Sequence, residues 1–238
     1  MKRIILLVIK LIFKIPGWLL RIRKYNKDDS ISLKQRYDFI REIADKVIKR
    51  GNISVECYGL ENLPQNQGYL LTPNHQGLFD SIILFYTHKE AYRAVVKEEL
   101  THTFVIKNII SMLGYLPIDR SNLRASVKVI REVTKQLKQG INYVIFPEGT
   151  RSKQRNQLLE FKGGTFKSGI DAKVPIVPVA LIDCYKVFDD NSIKQCCTQV
   201  HYLKPLYYDD YKDMSSVEIA SLVQSRIEDC IADYENKE

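Results

Sequence analysis

The chain has 238 residues, 45% hydrophobic and 27% charged, a composition typical of a globular domain with a sizeable core and unlike that of a disordered chain. The net charge of +8 lies at the N-terminus, because residues 1–27 hold eight Lys or Arg and no acid, and the remaining 28 bases balance 28 acids. This distribution argues against a nucleic-acid surface spread over the fold and favours attraction of the N-terminus to anionic lipid.

The N-terminus carries an apolar stretch over residues 4–20 that two lysines interrupt. A lysine at the centre of a bilayer costs roughly 2.5–3.5 kcal/mol, and no small-residue cleavage site follows the stretch. We therefore predict an amphipathic helix in the membrane interface, broken near Pro16–Gly17; a spanning anchor and a cleaved signal peptide are the alternatives. The basic face and the apolar face of this helix would consist of Arg3, Lys10, Lys14 and Arg21, and of Ile5, Leu6, Ile9, Ile12, Phe13 and Leu20.

A second helix is predicted over residues 33–50, because apolar residues recur there at spacings of four and three. The opposite face of this helix is charged. The pattern leaves two interpretations open, since such a helix either accompanies the first one at a membrane or packs on the core of the protein.

The rest of the chain alternates between strand-like and helical segments. Strands are predicted at 53–60, 68–75, 91–96, 141–147 and 174–182, and helices at 79–87, 121–138 and 215–234. This order predicts an α/β fold with a largely parallel central sheet flanked by helices. Ligands of such sheets bind beyond the carboxyl ends of the strands, so the polar segments 74–80 and 147–151, which each follow a strand, are expected to lie at one edge.

His75 and Asp80 form the first candidate site, in the segment NHQGLFD. A histidine can accept a proton from a hydroxyl near neutral pH, and a carboxylate five residues later can fold back to fix its tautomer. Such a spacing arises by chance roughly one time in five in a chain of this composition. The pair therefore becomes informative only together with other segments.

A second candidate site is an anion site in the segment FPEGTR, which ends a predicted strand. Backbone N–H groups, a hydroxyl and a guanidinium can all donate hydrogen bonds to an anion there. Glu148 would repel a phosphate, so we expect it to orient a neighbouring arginine. Arg120 and Lys97 also follow apolar runs, although a basic residue by itself is more often a solvated surface charge. The candidate residues are Lys97, Arg120, Glu148, Gly149, Thr150 and Arg151.

The cysteines and the other histidines receive ordinary interpretations. The five cysteines include no C-x-x-C pair, and their odd number predicts reduced thiols rather than a disulfide framework or a zinc site. His88, His102 and His201 are interpreted as surface residues or as core residues with satisfied hydrogen bonds.

Four ordered segments together resemble the glycerolipid acyltransferase family, and specifically its bacterial 1-acylglycerol-3-phosphate acyltransferases. Shorter stretches at 97–100 and 161–164 are also similar, and the resemblance runs from about residue 53 to 182. Four ordered matches are far less probable by chance than any one of them. The four segments are NHQGLFD (74–80), GYLPIDR (114–120), FPEGTR (146–151) and VPIVPVA (174–180).

The resemblance implies transfer of a fatty acyl chain from a thioester to the sn-2 hydroxyl of 1-acylglycerol-3-phosphate, without a metal or other cofactor. The donor would be coenzyme A or acyl carrier protein. His75 would be the general base and Asp80 its orienting partner, while Arg120, assisted by Lys97, and the loop 148–151 would hold the phosphate. Residues 174–180 would shape the site near the acyl chain.

The resemblance also implies a division of the chain and a location. Residues 1–50 would form two membrane-associating helices and residues 51–238 the catalytic domain. The protein would lie on the cytoplasmic face of the cell membrane, attached through residues 1–27 to anionic lipids.

Three alternatives stay open at this point. Within the enzyme class, the acceptor could be another lysophospholipid or glycerol 3-phosphate. A membrane-surface binding protein without catalysis is a second possibility, against which the intact motifs argue. A soluble hydrolase is a third, and the chain has no G-x-S-x-G segment to support it.

Overall fold

The computed structural model describes residues 2–236 and begins with three helices. They are α1 (Lys2–Leu11), α2 (Ile15–Lys27) and α3 (Leu33–Arg50). The chain leaves the helical conformation between α1 and α2, one turn ahead of the predicted break, and Pro16 occupies the first turn of α2, where its missing N–H costs nothing. The helix α3 has the predicted bounds, and a capping box of Ser32 and Gln35 begins it.

The described residues contain a sheet of seven strands in the order β1-β7-β6-β2-β5-β3-β4. Adjacent strands are parallel except for the pair β6–β7, so β1 and β7 run opposite to the other five. The predicted α/β fold with a largely parallel sheet is confirmed. The strands are β1 (Ile53–Tyr58), β2 (Leu70–Pro73), β3 (Tyr92–Lys97), β4 (Leu116–Ile118), β5 (Asn142–Val144), β6 (Ile176–Ile182) and β7 (Cys196–Tyr202).

Further helices connect and flank the strands. All the predicted strands and helices are present, whereas β4, β7 and four helices, Phe104–Leu113, Lys167–Ala172, Tyr185–Phe188 and Tyr208–Tyr211, were not predicted. The period-two signal of β7 was available, since buried and exposed residues alternate along it. The helices are α4 (Asp80–Thr87), α5 (Phe104–Leu113), α6 (Leu123–Lys138), α7 (Lys167–Ala172), α8 (Tyr185–Phe188), α9 (Tyr208–Tyr211) and α10 (Ser216–Glu235).

The helix α3 packs on the core of the protein, in agreement with one of the two interpretations of residues 33–50. Its buried residues Tyr37, Phe39, Ile40 and Ala44 belong to the same hydrophobic cluster as residues of the central strands. The same cluster contains Leu7 and Leu11 of α1 and Ile22 of α2, so all three N-terminal helices are anchored to the core. Within residues 2–50, the exposed large apolar side chains lie on α1, on α2 and in the turn between them.

Arg3 corrects the expected division of faces on the first helix. Its side chain is buried at 1% exposure, whereas the sequence placed it on a solvated basic face. The guanidinium donates hydrogen bonds to the carbonyl oxygens of Gly51 at 2.6 Å, Lys194 at 2.8 Å and Val187 at 2.9 Å. The reason is geometric, because the five N–H donors of an arginine can satisfy several carbonyl groups where loops converge.

The apolar face predicted for the first helix is largely exposed in the structure. Phe13 is 98% exposed and Ile9 65%, and the residues that anchor α1 to the core, Leu7 and Leu11, lie on another side of the helix. None of the helices in residues 2–236 is long and apolar enough to span a membrane. The exposed apolar residues of α1, α2 and the turn between them are Ile5, Val8, Ile9, Ile12, Phe13 and Leu20.

Candidate active site

The candidate residues gather at the carboxyl edge of the parallel strands, as the sequence predicts. The strands β2 and β5 are neighbours and parallel, so the loops that follow them leave the sheet side by side. A backbone hydrogen bond of 2.9 Å from Ser152 N–H to the His75 carbonyl joins the two loops. The segment that carries Arg120 follows β4, and Lys97 ends β3, at the same edge.

His75 and Asp80 form a hydrogen-bonded pair. The distance from His75 Nδ1 to Asp80 Oδ2 is 2.7 Å, and Asp80 is fully buried while 23% of the His75 side chain is exposed. A carboxylate accepts, so Nδ1 carries the proton and Nε2 keeps a lone pair that can accept one. The ring of Phe146 lies against the imidazole, with the ring centres 4.2 Å apart.

The position of Asp80 follows from local structure. Asp80 is the first residue of α4, and its Oδ2 also accepts the backbone N–H groups of Gln76 at 2.6 Å and Gly77 at 2.9 Å. The negative charge lies at the N-terminus of a helix, where the backbone dipoles stabilise it. Asn74 fixes the start of the loop, because its side-chain amide exchanges two hydrogen bonds with the backbone of Leu181 in β6.

Glu148 does not orient an arginine, which corrects the expectation from the sequence. Its buried carboxylate accepts the backbone N–H of His75 at 2.6 Å and that of Leu159 at 3.1 Å. Burial raises the pKa of Glu148 to about 7, and the two N–H donors oppose that rise. The carboxylate therefore joins the backbone of the loop that carries His75 to the backbone at Leu159.

Arg120 and Lys162 meet over Gly149. A Cβ atom built on Gly149 would lie 3.3 Å from Arg120 Nη1 and 3.4 Å from Lys162 Nζ, and Gly149 has a φ of +75° that favours glycine. The Arg120 side chain is exposed overall. Partial desolvation lowers the pKa of its guanidinium, and the nearby carboxylate of Glu99 opposes this shift. An arginine keeps its charge throughout. Two cations therefore flank a glycine turn.

The model of the Acyltransferase family matches residues 54–182, which is more than half of this chain and contains the loops described above. This chain belongs to the Acyltransferase family. The family resemblance of the sequence is thereby confirmed.

Two named relatives of this acyltransferase are proteins called 1-acyl-sn-glycerol-3-phosphate acyltransferase. The one from Cocos nucifera is 29% identical over 143 residues, which cover 59% of this chain and 46% of the relative. The chloroplastic BAT2 protein of Brassica napus is 31% identical over 156 residues, 64% of this chain and 45% of the relative. The chain spans about half the length of these curated relatives.

A solved structure extends the comparison to the whole fold. The crystal structure of PlsC, the 1-acyl-sn-glycerophosphate acyltransferase of Thermotoga maritima, matches with a TM-score of 0.77 at 20% identity. The match covers 98% of this chain and 96% of that chain. The two proteins share the α/β fold, including the helices that precede the sheet.

The remaining predicted residues of this acyltransferase have more varied surroundings. Lys97 Nζ pairs with Glu99 Oε1 at 2.8 Å on the exposed surface, and Thr150 is exposed on the loop after β5. Arg151 lines an open groove. The side chains of 174–180 are buried, so this segment forms core rather than an open acyl-binding surface.

Two residues of the site were not predicted, although both lay in segments noted for the family resemblance. Phe146 packs on the His75 ring and Lys162 joins Arg120. The sequence carried no signal for either contact, because the partners lie 71 and 42 positions apart along the chain.

The other histidines have structural surroundings, as predicted. His88 is buried, and its ring nitrogens contact Tyr69 Oη at 2.8 Å and the Glu90 carbonyl oxygen at 2.7 Å. Burial lowers the pKa of His88 to about 4, so this ring is neutral at physiological pH. His201 stacks on Tyr58, and His102 lies on the surface.

Proposed function

We propose that this protein is a 1-acylglycerol-3-phosphate O-acyltransferase, which transfers a fatty acyl chain from a thioester to the sn-2 hydroxyl and produces phosphatidic acid. One observation carries the proposal. A histidine that is hydrogen-bonded to a buried aspartate, His75, lies in the same group of loops as two cations that flank the turn at Gly149. Glu148 and Gly149 are consecutive, and one holds the His75 backbone while the other lies beneath Arg120. Two adjacent residues therefore connect the proposed proton acceptor with the proposed phosphate site.

The proposed reaction uses His75 Nε2 as the general base. It takes the proton of the sn-2 hydroxyl while the hydroxyl oxygen forms a bond to the thioester carbonyl carbon. The carbon–sulfur bond then breaks, and the imidazolium returns its proton to the departing thiolate. Asp80 stabilises the imidazolium in between. No acyl-enzyme is required, because His75 activates the acceptor hydroxyl itself.

The phosphate of the acceptor is assigned to the cations at Gly149. A phosphate monoester carries about −1.5 to −2 charges at pH 7 and matches the fork of a guanidinium. Arg120, Lys162 and Arg151 would supply the charge, and the Gly149 backbone and the Thr150 hydroxyl would supply donors. Lys97 lies on the same edge of the sheet, and we expect it to assist once Glu99 releases it.

Membrane attachment is part of the proposal, because acceptor and product are membrane lipids. The exposed apolar residues of α1 and α2, with Phe13 at the turn, would enter the interface of the bilayer. The basic residues of 1–27 would attract anionic lipid. We propose a peripheral or monotopic location on the cytoplasmic face, where thioesters of coenzyme A or acyl carrier protein are available.

The test is a thioester-consumption assay with the full chain in mixed micelles, with products identified by mass. Lysophosphatidate, a zwitterionic lysophospholipid, glycerol 3-phosphate and no acceptor are compared. We expect thioester loss that requires lysophosphatidate and yields phosphatidic acid. Thioester loss without an acceptor would indicate a hydrolase. Thioester loss that requires one of the other acceptors would indicate a different acyltransferase, and no thioester loss would indicate a binding protein.

The proposed base is tested by substitution. His75→Ala is expected to lower kcat by about 10²–10⁴-fold, as for loss of a general base. The surface variant His102→Ala is the matched control. Turnover of His75→Ala close to that of the control would reject the mechanism.

A further inference from the structure

An open groove of about 350 Å³ lies beside the His75 loop and has no role in the reaction proposed above. Its Gln76 wall is continuous with the active-site loop, because Gln76 directly follows His75. Gln76 is held in place by Asn156, which accepts its Nε2–H at 2.8 Å, and by the Cys184 N–H, which donates to its Oε1 at 2.8 Å. The charged residues that line the groove are Arg151, Lys153, Arg155, Asp189 and Asp190.

The basic wall of this groove is concentrated and unpaired. Arg151, Lys153 and Arg155 fall within five residues, and within 2–236 none of them forms an ion pair with a carboxylate. Lys153 and Arg155 both have positive φ, 55° and 62°, which L-residues rarely adopt. Their charges are therefore presented by an irregular loop that is tied to the active site through Ser152 and His75.

The two acids determine where an anion could lie. Asp189 and Asp190 line the same groove, and Asp189 Oδ2 would be 3.5 Å from a Cβ atom on Gly77. They would repel an anion that filled the groove evenly. An anionic group is therefore confined to the wall of Arg151, Lys153 and Arg155.

The chemistry of acyl transfer calls for two phosphate sites. The acceptor carries a phosphate monoester near its reacting hydroxyl, which suits the cations over Gly149. The thioester donor carries a second phosphate at the far end of its flexible pantetheine arm, whether the arm belongs to coenzyme A or to acyl carrier protein. That phosphate requires a cationic surface that lies beside the base but is distinct from the acceptor site.

We propose, on the basis of the proposed function, that Lys153 and Arg155 bind the phosphate of the donor's phosphopantetheine arm. One loop would therefore serve both substrates, because Gly149 lies beneath the acceptor cations while Lys153 and Arg155, four and six residues later, line the groove. The thioester then reaches His75 past Gln76, and the acceptor hydroxyl reaches it from the side of Arg120.

The experiment compares the full-length double variant Lys153→Ala/Arg155→Ala with wild type on three donors: acyl-coenzyme A, acyl–acyl carrier protein and S-acyl-pantetheine, which lacks the phosphate. We expect KM for both phosphate-bearing donors to rise about tenfold or more, as when charged hydrogen bonds are lost. KM for S-acyl-pantetheine and for lysophosphatidate should be unchanged. The control is Lys135→Ala/Lys138→Ala, two exposed bases near the C-terminus of α6.

The outcomes separate this proposal from the proposed function. An unchanged KM for the phosphate-bearing donors, or an equal rise for S-acyl-pantetheine or lysophosphatidate, would overturn it. If KM rose for acyl-coenzyme A alone, the groove would bind the nucleotide phosphates of coenzyme A. That result would overturn the proposal that it binds the arm phosphate common to both donors. Equilibrium dialysis of acyl-coenzyme A without an acceptor tests the donor site even if lysophosphatidate is not the acceptor: the double variant should bind about tenfold more weakly than wild type.

Discussion

The Glu148 carboxylate accepts the backbone N–H of His75 at 2.6 Å, while the His75 ring donates to Asp80 at 2.7 Å. Two carboxylates therefore position one histidine, the first through its backbone and the second through its side chain. Glu148 follows β5 and His75 follows β2, so a single side chain joins the ends of neighbouring strands. The placement of the proposed base depends on this contact as much as on its own motif.

Glu148→Gln is expected to lower kcat by roughly 10–100-fold, because charged hydrogen bonds of this type contribute about 1.5–3 kcal/mol. A glutamine has one acceptor oxygen, so its NH₂ group would face either the His75 or the Leu159 N–H. Steady-state kinetics on lysophosphatidate measure the effect. The nearby exposed Glu160→Gln is the control, and equal activity of the two variants would contradict the positioning role.

The pH dependence of activity should carry the titration of Glu148. Only the ionised carboxylate accepts both N–H groups, and burial raises its pKa to about 7, so activity should fall as pH drops through 7. Glu148→Gln removes the titrating carboxylate, so the difference between its pH–kcat profile and that of wild type reports the contribution of Glu148. Superimposable profiles would contradict this assignment.

The free energy of unfolding should change with pH in the direction opposite to the change in activity. The pKa of Glu148 is raised by folding, so its contribution to the free energy of unfolding is complete below about pH 4.5 and is lost as pH rises through about 7. Urea unfolding of wild type and Glu148→Gln at pH 5 and pH 8 measures this. Wild type should lose more stability than the variant between the two values, and a loss of equal size would argue against the raised pKa.

Gly149→Ala is expected to weaken the proposed phosphate site. The new Cβ would press on Arg120 and Lys162 at 3.3 and 3.4 Å, and the left-handed backbone would cost roughly 1–2 kcal/mol. We expect KM for lysophosphatidate to rise about tenfold, the equivalent of 1.4 kcal/mol. Gly164→Ala is the control, because no atom lies within 4 Å of its added Cβ. Equal KM values for the two variants would remove Gly149 from the site.

Arg3→Met is expected to destabilise the fold by about 2 kcal/mol or more, since several carbonyl groups lose their donors in a buried environment. Denaturant unfolding of Arg3→Met and of the exposed control Lys2→Met measures the difference. Equal midpoints would show that the Arg3 contacts contribute nothing. Because Arg3 anchors α1, deletion of residues 1–27 would disturb the core and is not a clean test of membrane binding.

Membrane binding is tested on the exposed face instead. Ile9→Ser/Phe13→Ser should lower sedimentation with phosphatidylglycerol-containing vesicles by more than about tenfold, because burial of each such side chain contributes roughly 1.5–3 kcal/mol. Val217→Ser, an exposed apolar residue on α10, is the control. Undiminished sedimentation of the double variant would place the membrane contact elsewhere.

The sequence by itself determined the features that depend on neighbouring residues. The bounds of α3 follow from apolar spacing and the capping box of Ser32 and Gln35. The alternation of strands and helices led to the parallel sheet, and the parallel sheet placed the motifs at one edge. The pairing of His75 with Asp80 was also predictable, because one turn of chain brings the two together.

Only the tertiary structure decided the contacts between distant residues. Arg3 looked like part of a solvated face, and its burial depends on carbonyl groups nearly 50 to 190 positions away. Glu148 looked like a partner for an arginine, yet the N–H groups that it accepts belong to loops brought together by β2 and β5. Local periodicity determines which face of an element is apolar, but the partner of a buried polar group is set by the elements that fold against it.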